Sequence, residues 1–145
     1  MTEKKYLDRN CPYCNLISGK LNNIHVLYKD TIVTAFMNHM PVNPGHAIVI
    51  PNVHYSNPSS LPENIAGKMY FIATRIGVAC KRAMDSTGYN IISSDGFCAG
   101  QDIQHAHLHI IPRYLNDNWH LNWRALPSDF DITNTYKIIL AKLLI

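Results

Sequence analysis

Residues 105–111 read His-Ala-His-Leu-His-Ile-Ile, and this alternation constrains the fold more than any other feature. Successive side chains of an extended strand point to opposite faces. His105, His107 and His109 therefore share one face, and Ala106, Leu108 and Ile110 the other. The pattern predicts a half-buried strand over 104–111, stopped by Pro112, with a helix over its apolar face and imidazoles along the second. Three imidazoles in a row admit three readings: a solvated face, a metal site chelated by all three, or nucleophilic catalysis at phosphorus. The third has a chemical basis. Imidazole, with a reference pKa of about 6.5, is largely neutral at pH 7. It attacks without the activating base that a serine needs. Its N–P adduct is labile to water, and neighbouring imidazoles can hold the tautomer, donate to phosphoryl oxygens and protonate the leaving group.

The rest of the chain supplies a setting for such a strand. Its 145 residues suit one domain, and 47% hydrophobic against 16% charged residues allow a full core. The formal charge of +3 tolerates an anionic ligand. No dense Lys/Arg run suggests a nucleic acid polymer, and no apolar run approaches the roughly 18 residues of a membrane span. Residues 1–10 form a polar leader without the apolar core of a secretory signal, so a cytoplasmic protein is expected.

A turn or short helix runs from Cys11 to near Gly19. Strands are expected at 25–29 and 31–38, joined tightly at Lys29-Asp30, and at 46–50, stopped by Pro51. A helix opens at Leu61-Pro62-Glu63 and keeps an apolar period through Ile65, Met69, Ile72, Ile76, Ala79 and Ala83 to about Met84. A strand at 89–93 and a loop at 95–100 lead to the histidines, and the tail ends in a helix from about Ile132. The order predicts an α+β fold: an antiparallel sheet with helices on one face. Cys80 reads as core, Cys98, His25 and His120 as surface groups, and Trp119 and Trp123 as packing residues.

Cys11 and Cys14 form a C-x2-C pair. With no secretory signal, metal binding is favoured over a disulfide framework. Alone, the pair also fits a redox motif or two free thiols. A zinc finger would need a second close ligand pair, and the remaining candidates, His54 and a histidine of the 105–109 row, are far apart in sequence. Any metal site is then a tertiary one.

Three segments together, Cys11-Pro12-Tyr13-Cys14, Pro44-Gly45-His46-Ala47-Ile48-Val49-Ile50-Pro51, and Gly100-Gln101-Asp102-Ile103-Gln104 followed by the histidine row, resemble the histidine triad (HIT) family in order and separation. The resemblance spans about residues 11–114, leaving 1–10 as leader and 115–145 as tail of a single domain. It implies a five-stranded sheet with one long helix and a short N-terminal helix, joined to a partner's sheet in a ten-stranded homodimer. It implies nucleotide substrates, with a purine base favoured: dinucleoside polyphosphates, which can carry Mg²⁺, or nucleoside phosphoramidates.

On the same grounds His107 takes the nucleotidyl group, His109 supports the α-phosphate and His46 orients the nucleophile. Asn38 would hold the ribose, while Gln101 and Ser94 would lie near the phosphate. Members with the C-x2-C opening bind zinc, which implies Cys11, Cys14, His54 and His105 as a closed, structural Zn²⁺ site. The chain departs from the family at position 102, where a hydroxyl residue is common: Asp102 is anionic and would repel phosphate. Two rivals to an enzyme follow, a nucleotide-binding adaptor without turnover and a zinc-dependent interaction module.

Overall fold

A computed structural model describes residues 7–144. Residues 1–6 of the expected leader and residue 145 of the tail lie outside the described residues. The elements are α1 (Pro12–Ile17), β1 (Val26–Lys29), β2 (Val33–Met37), β3 (Ala47–Pro51), α2 (Glu63–Ala83), β4 (Gly88–Ser93), β5 (Leu108–Arg113) and α3 (Ile132–Leu140), with 3₁₀ turns at Pro58–Ser60 and Phe97–Ala99. The five strands form one sheet in the order β1-β2-β3-β5-β4, with every neighbouring pair antiparallel.

Strand parity decides which face each residue joins. Val33, Ala35, Ala47, Val49 and Ile110 pack with Met69, Ile72 and Ala73 of α2. Phe36, Ile48 and Ile50 point to the opposite face, against Cys11, Tyr13, Cys14 and Leu16 of the N-terminal segment. Both faces of the sheet centre are thus covered, not one as expected, which is why all of β3 is buried. The period of α2 is as predicted, from Pro62 at its N-cap to Met84 at its C-cap. Gly77 allows its close approach to the sheet: a Cβ there would meet the Tyr89 ring at 2.6 Å. Truncating Met69, which is 1% exposed, would cost about 2–5 kcal/mol.

The β1–β2 turn is held by Asp30, whose Oδ1 accepts from the amides of Ile32 and Val33 at 2.7 Å each. Lys68 of α2 reaches the same carboxylate at 3.0 Å. Residues 7–10 of the expected leader form a turn, with the Cys11 amide donating to the Asp8 carbonyl at 3.2 Å and Leu7 packed on the N-terminal cluster.

Two strand boundaries differ from expectation. β5 begins at Leu108 rather than 104, because its partners' registers both end there, at Val49 and Ser93. Residues 105–107 lie outside the ladder, and the Ala106 amide donates to the Tyr55 carbonyl instead. β5 also continues through Pro112 to Arg113. The Pro112 carbonyl accepts from Asn43 Nδ2 at 2.9 Å. An antiparallel residue presents its N–H and C=O on the same side, so the missing N–H falls beyond the end of β3 and costs no ladder bond. β3 ends at Pro51, as expected, with that proline as its last residue.

Beyond Asp117 the tail is largely exposed. Trp119 stacks under Arg113, 4.5 Å from its ring centroid. Trp123, expected to pack, is 86% exposed. Helix α3 starts at Ile132 as predicted, N-capped by Asp131, and buries none of its side chains.

Candidate functional site

Sheet register brings together residues far apart in sequence. The Asn38 amide donates to the His46 carbonyl just beyond the β2–β3 ladder, and Ile48 opposes His109. Asn38, His46 and His109 therefore share the face that carries α1, with His46 and His109 as diagonal neighbours. The His46 Nε2 to His109 Nδ1 distance is 2.9 Å.

The partners of each ring select its tautomer. The Val42 amide donates to His46 Nδ1 at 3.2 Å, so that nitrogen carries a lone pair and His46 Nε2–H donates to His109 Nδ1. His109 in turn keeps its proton on Nε2. His107 Nδ1–H donates to the His105 carbonyl at 2.7 Å, which leaves the lone pair on His107 Nε2. The His107 and His109 rings meet edge to face with centroids 4.9 Å apart. Two adjacent imidazoles thus offer opposite functions: an unprotonated Nε2 on His107 and a protonated Nε2 on His109. Burial pushes the basicity of His109 down to about 4, with repulsion from His107 and His46 adding to it. Burial also lowers His46. Both stay neutral near pH 7, as the relay requires.

The imidazole face is less open than expected. His107 is 2% exposed, because the Tyr13 ring of α1 stands edge-on to it at 5.4 Å and to His105 at 5.7 Å. A cleft of about 540 Å³ adjoins it, lined by apolar Leu16, Ile24, Phe36 and Ile48 and by polar Asn38, His46, His109 and Asp102. An apolar slot closed by imidazoles can take a flat base at one end and a phosphoryl group at the other. Asp102, largely exposed, places Oδ1 4.0 Å from His107 Nε2. Tyr13 lines the cleft and touches two histidines, yet sequence reasoning missed it. Its signal was its place between the two cysteines, which any tertiary cysteine–histidine site must draw toward the row.

Gln101 is 3% exposed and committed to backbone. Its Oε1 accepts from the Gly96 amide at 2.9 Å, and its Nε2 donates to the carbonyls of Ser56 and Ile103 at 2.7 and 3.0 Å. It therefore shapes the 96–103 loop. Ser94 follows the end of β4, half-buried, and does not line the cleft.

At the other end of the row, the ligand atoms of Cys11, Cys14, His54 and His105 all lie within 4.8 Å of one another. His105 Nδ1 is 3.4 Å from Cys11 Sγ and 3.6 Å from Cys14 Sγ, and His54 Nδ1 is 3.3 Å from Cys14 Sγ. A tetrahedral zinc with ordinary Zn–S and Zn–N bonds requires S···N edges of about 3.6 Å, so the residues fit that ion. His105 Nε2–H donates to the Pro51 carbonyl at 3.0 Å, which turns the Nδ1 lone pair toward the thiols. Burial, partly offset by the Asp8 amide, pushes the Cys14 thiol up to about 11. A bound cation would reverse that and hold the thiolate. Cys80 is half-buried on α2, and Cys98 is exposed in the second 3₁₀ turn.

A family model described as HIT domain matches residues 20–116, more than half of the chain. Protein hit of Bacillus subtilis is 32% identical over 83% of this chain and 83% of its own length. Adenosine 5'-monophosphoramidase HNT1 of Saccharomyces cerevisiae is 29% identical over 99% of this chain and 89% of its own. Adenylylsulfatase HINT3 of Arabidopsis thaliana is 31% identical over 79% of this chain and 58% of its own. Among solved structures, a HIT family protein from Bacillus anthracis superposes with a TM-score of 0.83 at 30% identity, covering 92% of this chain and 95% of that one. A Zn-bound histidine triad family protein from Mycobacterium smegmatis reaches 0.72 at 28% identity, covering 92% and 94%. Together with the histidine row and the strand order that carries it, these matches establish that the chain belongs to the HIT domain family.

Proposed function

We propose that the chain is a nucleotidyl hydrolase or transferase that acts at the α-phosphorus of a nucleotide through a nucleotidyl–His107 intermediate. The observation that carries this is the pairing of tautomers: His107 offers a lone pair on Nε2 beside a proton on His109 Nε2. His107 Nε2 attacks phosphorus and the leaving group departs. Water then opens the N–P bond, releasing the mononucleotide and restoring neutral His107. His109 Nε2–H donates to a phosphoryl oxygen, where charge grows in the transition state. His46 fixes the His109 ring and is a positioning residue. Asn38 holds the ribose, Leu16, Ile24, Phe36 and Ile48 receive the base, and Gln101 acts by shaping the 96–103 loop. The names of two relatives, an adenosine 5'-monophosphoramidase and an adenylylsulfatase, support hydrolysis of an adenylyl substrate.

Zinc, held by Cys11, Cys14, His54 and His105, would be structural: all four positions are filled by protein and none is left for substrate. It would tie the N-terminal segment to the histidine row. Any Mg²⁺ would arrive with a polyphosphate. The assembly we propose is a homodimer joined across β4, the sheet edge free of the register shift that interrupts β1.

The test is His107→Ala. Turnover of an adenosine phosphoramidate should fall by at least ~10³-fold while AMP affinity stays within a few fold. Wild-type turnover in that variant contradicts the mechanism. The near-complete burial of His107 favours the one competing reading, a nucleotide binder without turnover. In that case the wild-type protein binds AMP and releases no product.

A further inference from the structure

Asp102 is a charged residue beside the reacting nitrogen that the mechanism leaves without work. Its side chain is 80% exposed, lines the cleft, and places Oδ1 4.0 Å from His107 Nε2. An attacking nitrogen approaches phosphorus to about 3–3.5 Å, and the departing atom lies in line on the far side. With Oδ1 4.0 Å from Nε2, the phosphoryl group lies within one Debye length of the carboxylate, about 8 Å at physiological salt, and the departing atom within roughly 9 Å. Among the described residues, Lys68 is engaged with Asp30 and Arg113 with Asp117, and the one ion-pair contact of Asp102 is with His107.

We propose that Asp102 selects the leaving group by charge, favouring nucleoside phosphoramidates whose amine departs neutral or cationic over substrates that expel an anion such as sulfate or a polyphosphate. The inference rests on the nucleophilic role of His107 given above. With an amidate, the Nε2 lone pair forms the N–P bond and the P–N bond to the amine breaks. The amine nitrogen takes that electron pair and one proton, delivered from water, and leaves as a free amine. Positive charge gathers on this nitrogen as it is protonated, and a carboxylate within reach stabilises it. A sulfate or polyphosphate leaves with its electron pair on oxygen and its negative charge increased, which the same carboxylate opposes. A hydroxyl at position 102 would make neither distinction.

The carboxylate is mostly solvated, so the effect is moderate and sensitive to salt. The test compares kcat/KM for an adenosine phosphoramidate of a primary alkylamine and for adenosine 5'-phosphosulfate, in the wild-type zinc-loaded protein and in Asp102→Asn. The amidate-to-phosphosulfate ratio should fall about tenfold in the variant at low ionic strength, mainly by a gain on phosphosulfate, and only about threefold at 0.5 M salt. An unchanged ratio, or a change that ignores salt, overturns the proposal. A binding arm separates this failure from failure of the mechanism. Asp102→Asn should tighten dianionic AMP about threefold at low salt and leave uncharged adenosine unaltered. A wild-type chain that turns over neither substrate defeats the reaction reading alone, and the AMP-to-adenosine comparison then decides the role of Asp102: equal affinities before and after substitution overturn it.

Discussion

His105 and His109 stand two residues to either side of His107 and are alike in most respects. Burial holds both rings down to about 4, and each has one nitrogen committed to a hydrogen bond within the protein. They differ in what faces the other nitrogen. His105 turns Nδ1 toward two thiols and the His54 ring, and its own side chain is fully buried. His109 is half-buried, lines the cleft and receives a bond from His46. One chemical group repeated along one backbone thus stands in two environments, a proposed structural end and a proposed chemical end, with the proposed nucleophile His107 between them. The division comes from the end of the sheet. His109 lies inside the β5 ladder, whereas His105 lies beyond it, where the chain is free to fold under α1.

If the division is real, damage at the two ends should separate stability from turnover. Stripping zinc with a chelator, or making Cys14→Ser, should cause the largest change in folding. Structural zinc contributes on the order of 10 kcal/mol in small peptides, and even part of that corresponds to a drop of at least ~10 °C in Tm by calorimetry. An unchanged Tm would remove the structural end. His109→Ala should show the inverse: kcat lower by about 10²–10³-fold from loss of one phosphoryl donor, zinc content unchanged and Tm within a few degrees. His46→Ala, acting through His109, should cost about tenfold in kcat with little change in KM, and exogenous imidazole should restore part of it.

The pH dependence of stability sharpens the same contrast. Neutral His109 is favoured in the folded state, with a pKa of about 4 against about 6.5 when unfolded. Between these values the unfolded chain binds more protons. Stability should be flat above about pH 6.5 and fall toward pH 4 by up to about 1.4 kcal/mol per unit for this group. His109→Gln should flatten the slope by that share in urea titrations. The smallest effect is expected at the C-terminus. Removing residues 122–145, which include the unburied helix α3, should move Tm of the isolated chain by less than about 2 °C.

Much of this was legible in sequence because it depends on short-range periodicity. The period of α2 from Ile65 to Ala83, the parity that sets Leu108 and Ile110 against His109, and the start of α3 at Ile132 are local properties. What was not legible depends on where neighbouring strands stop. Nothing near His105 signals that pairing with β3 and with β4 both cease at Leu108, so a strand from 104 runs four residues too far. Pro112 reads as a terminator unless Asn43, 69 residues away, is known to take its carbonyl. Tyr13 over His107 is a tertiary contact of the same kind. The four residues that fit zinc were identified through family resemblance, since C-x2-C alone leaves the histidine partners open.

The most direct test is to identify the atom that carries the nucleotide during turnover. Protein mixed with an adenosine phosphoramidate, quenched in alkali within one turnover and digested, should yield by mass spectrometry a peptide adenylylated at His107 on Nε2, absent from His107→Ala. Product accumulating with no adduct on any histidine, or with the adduct on His105 or His109, would contradict the account.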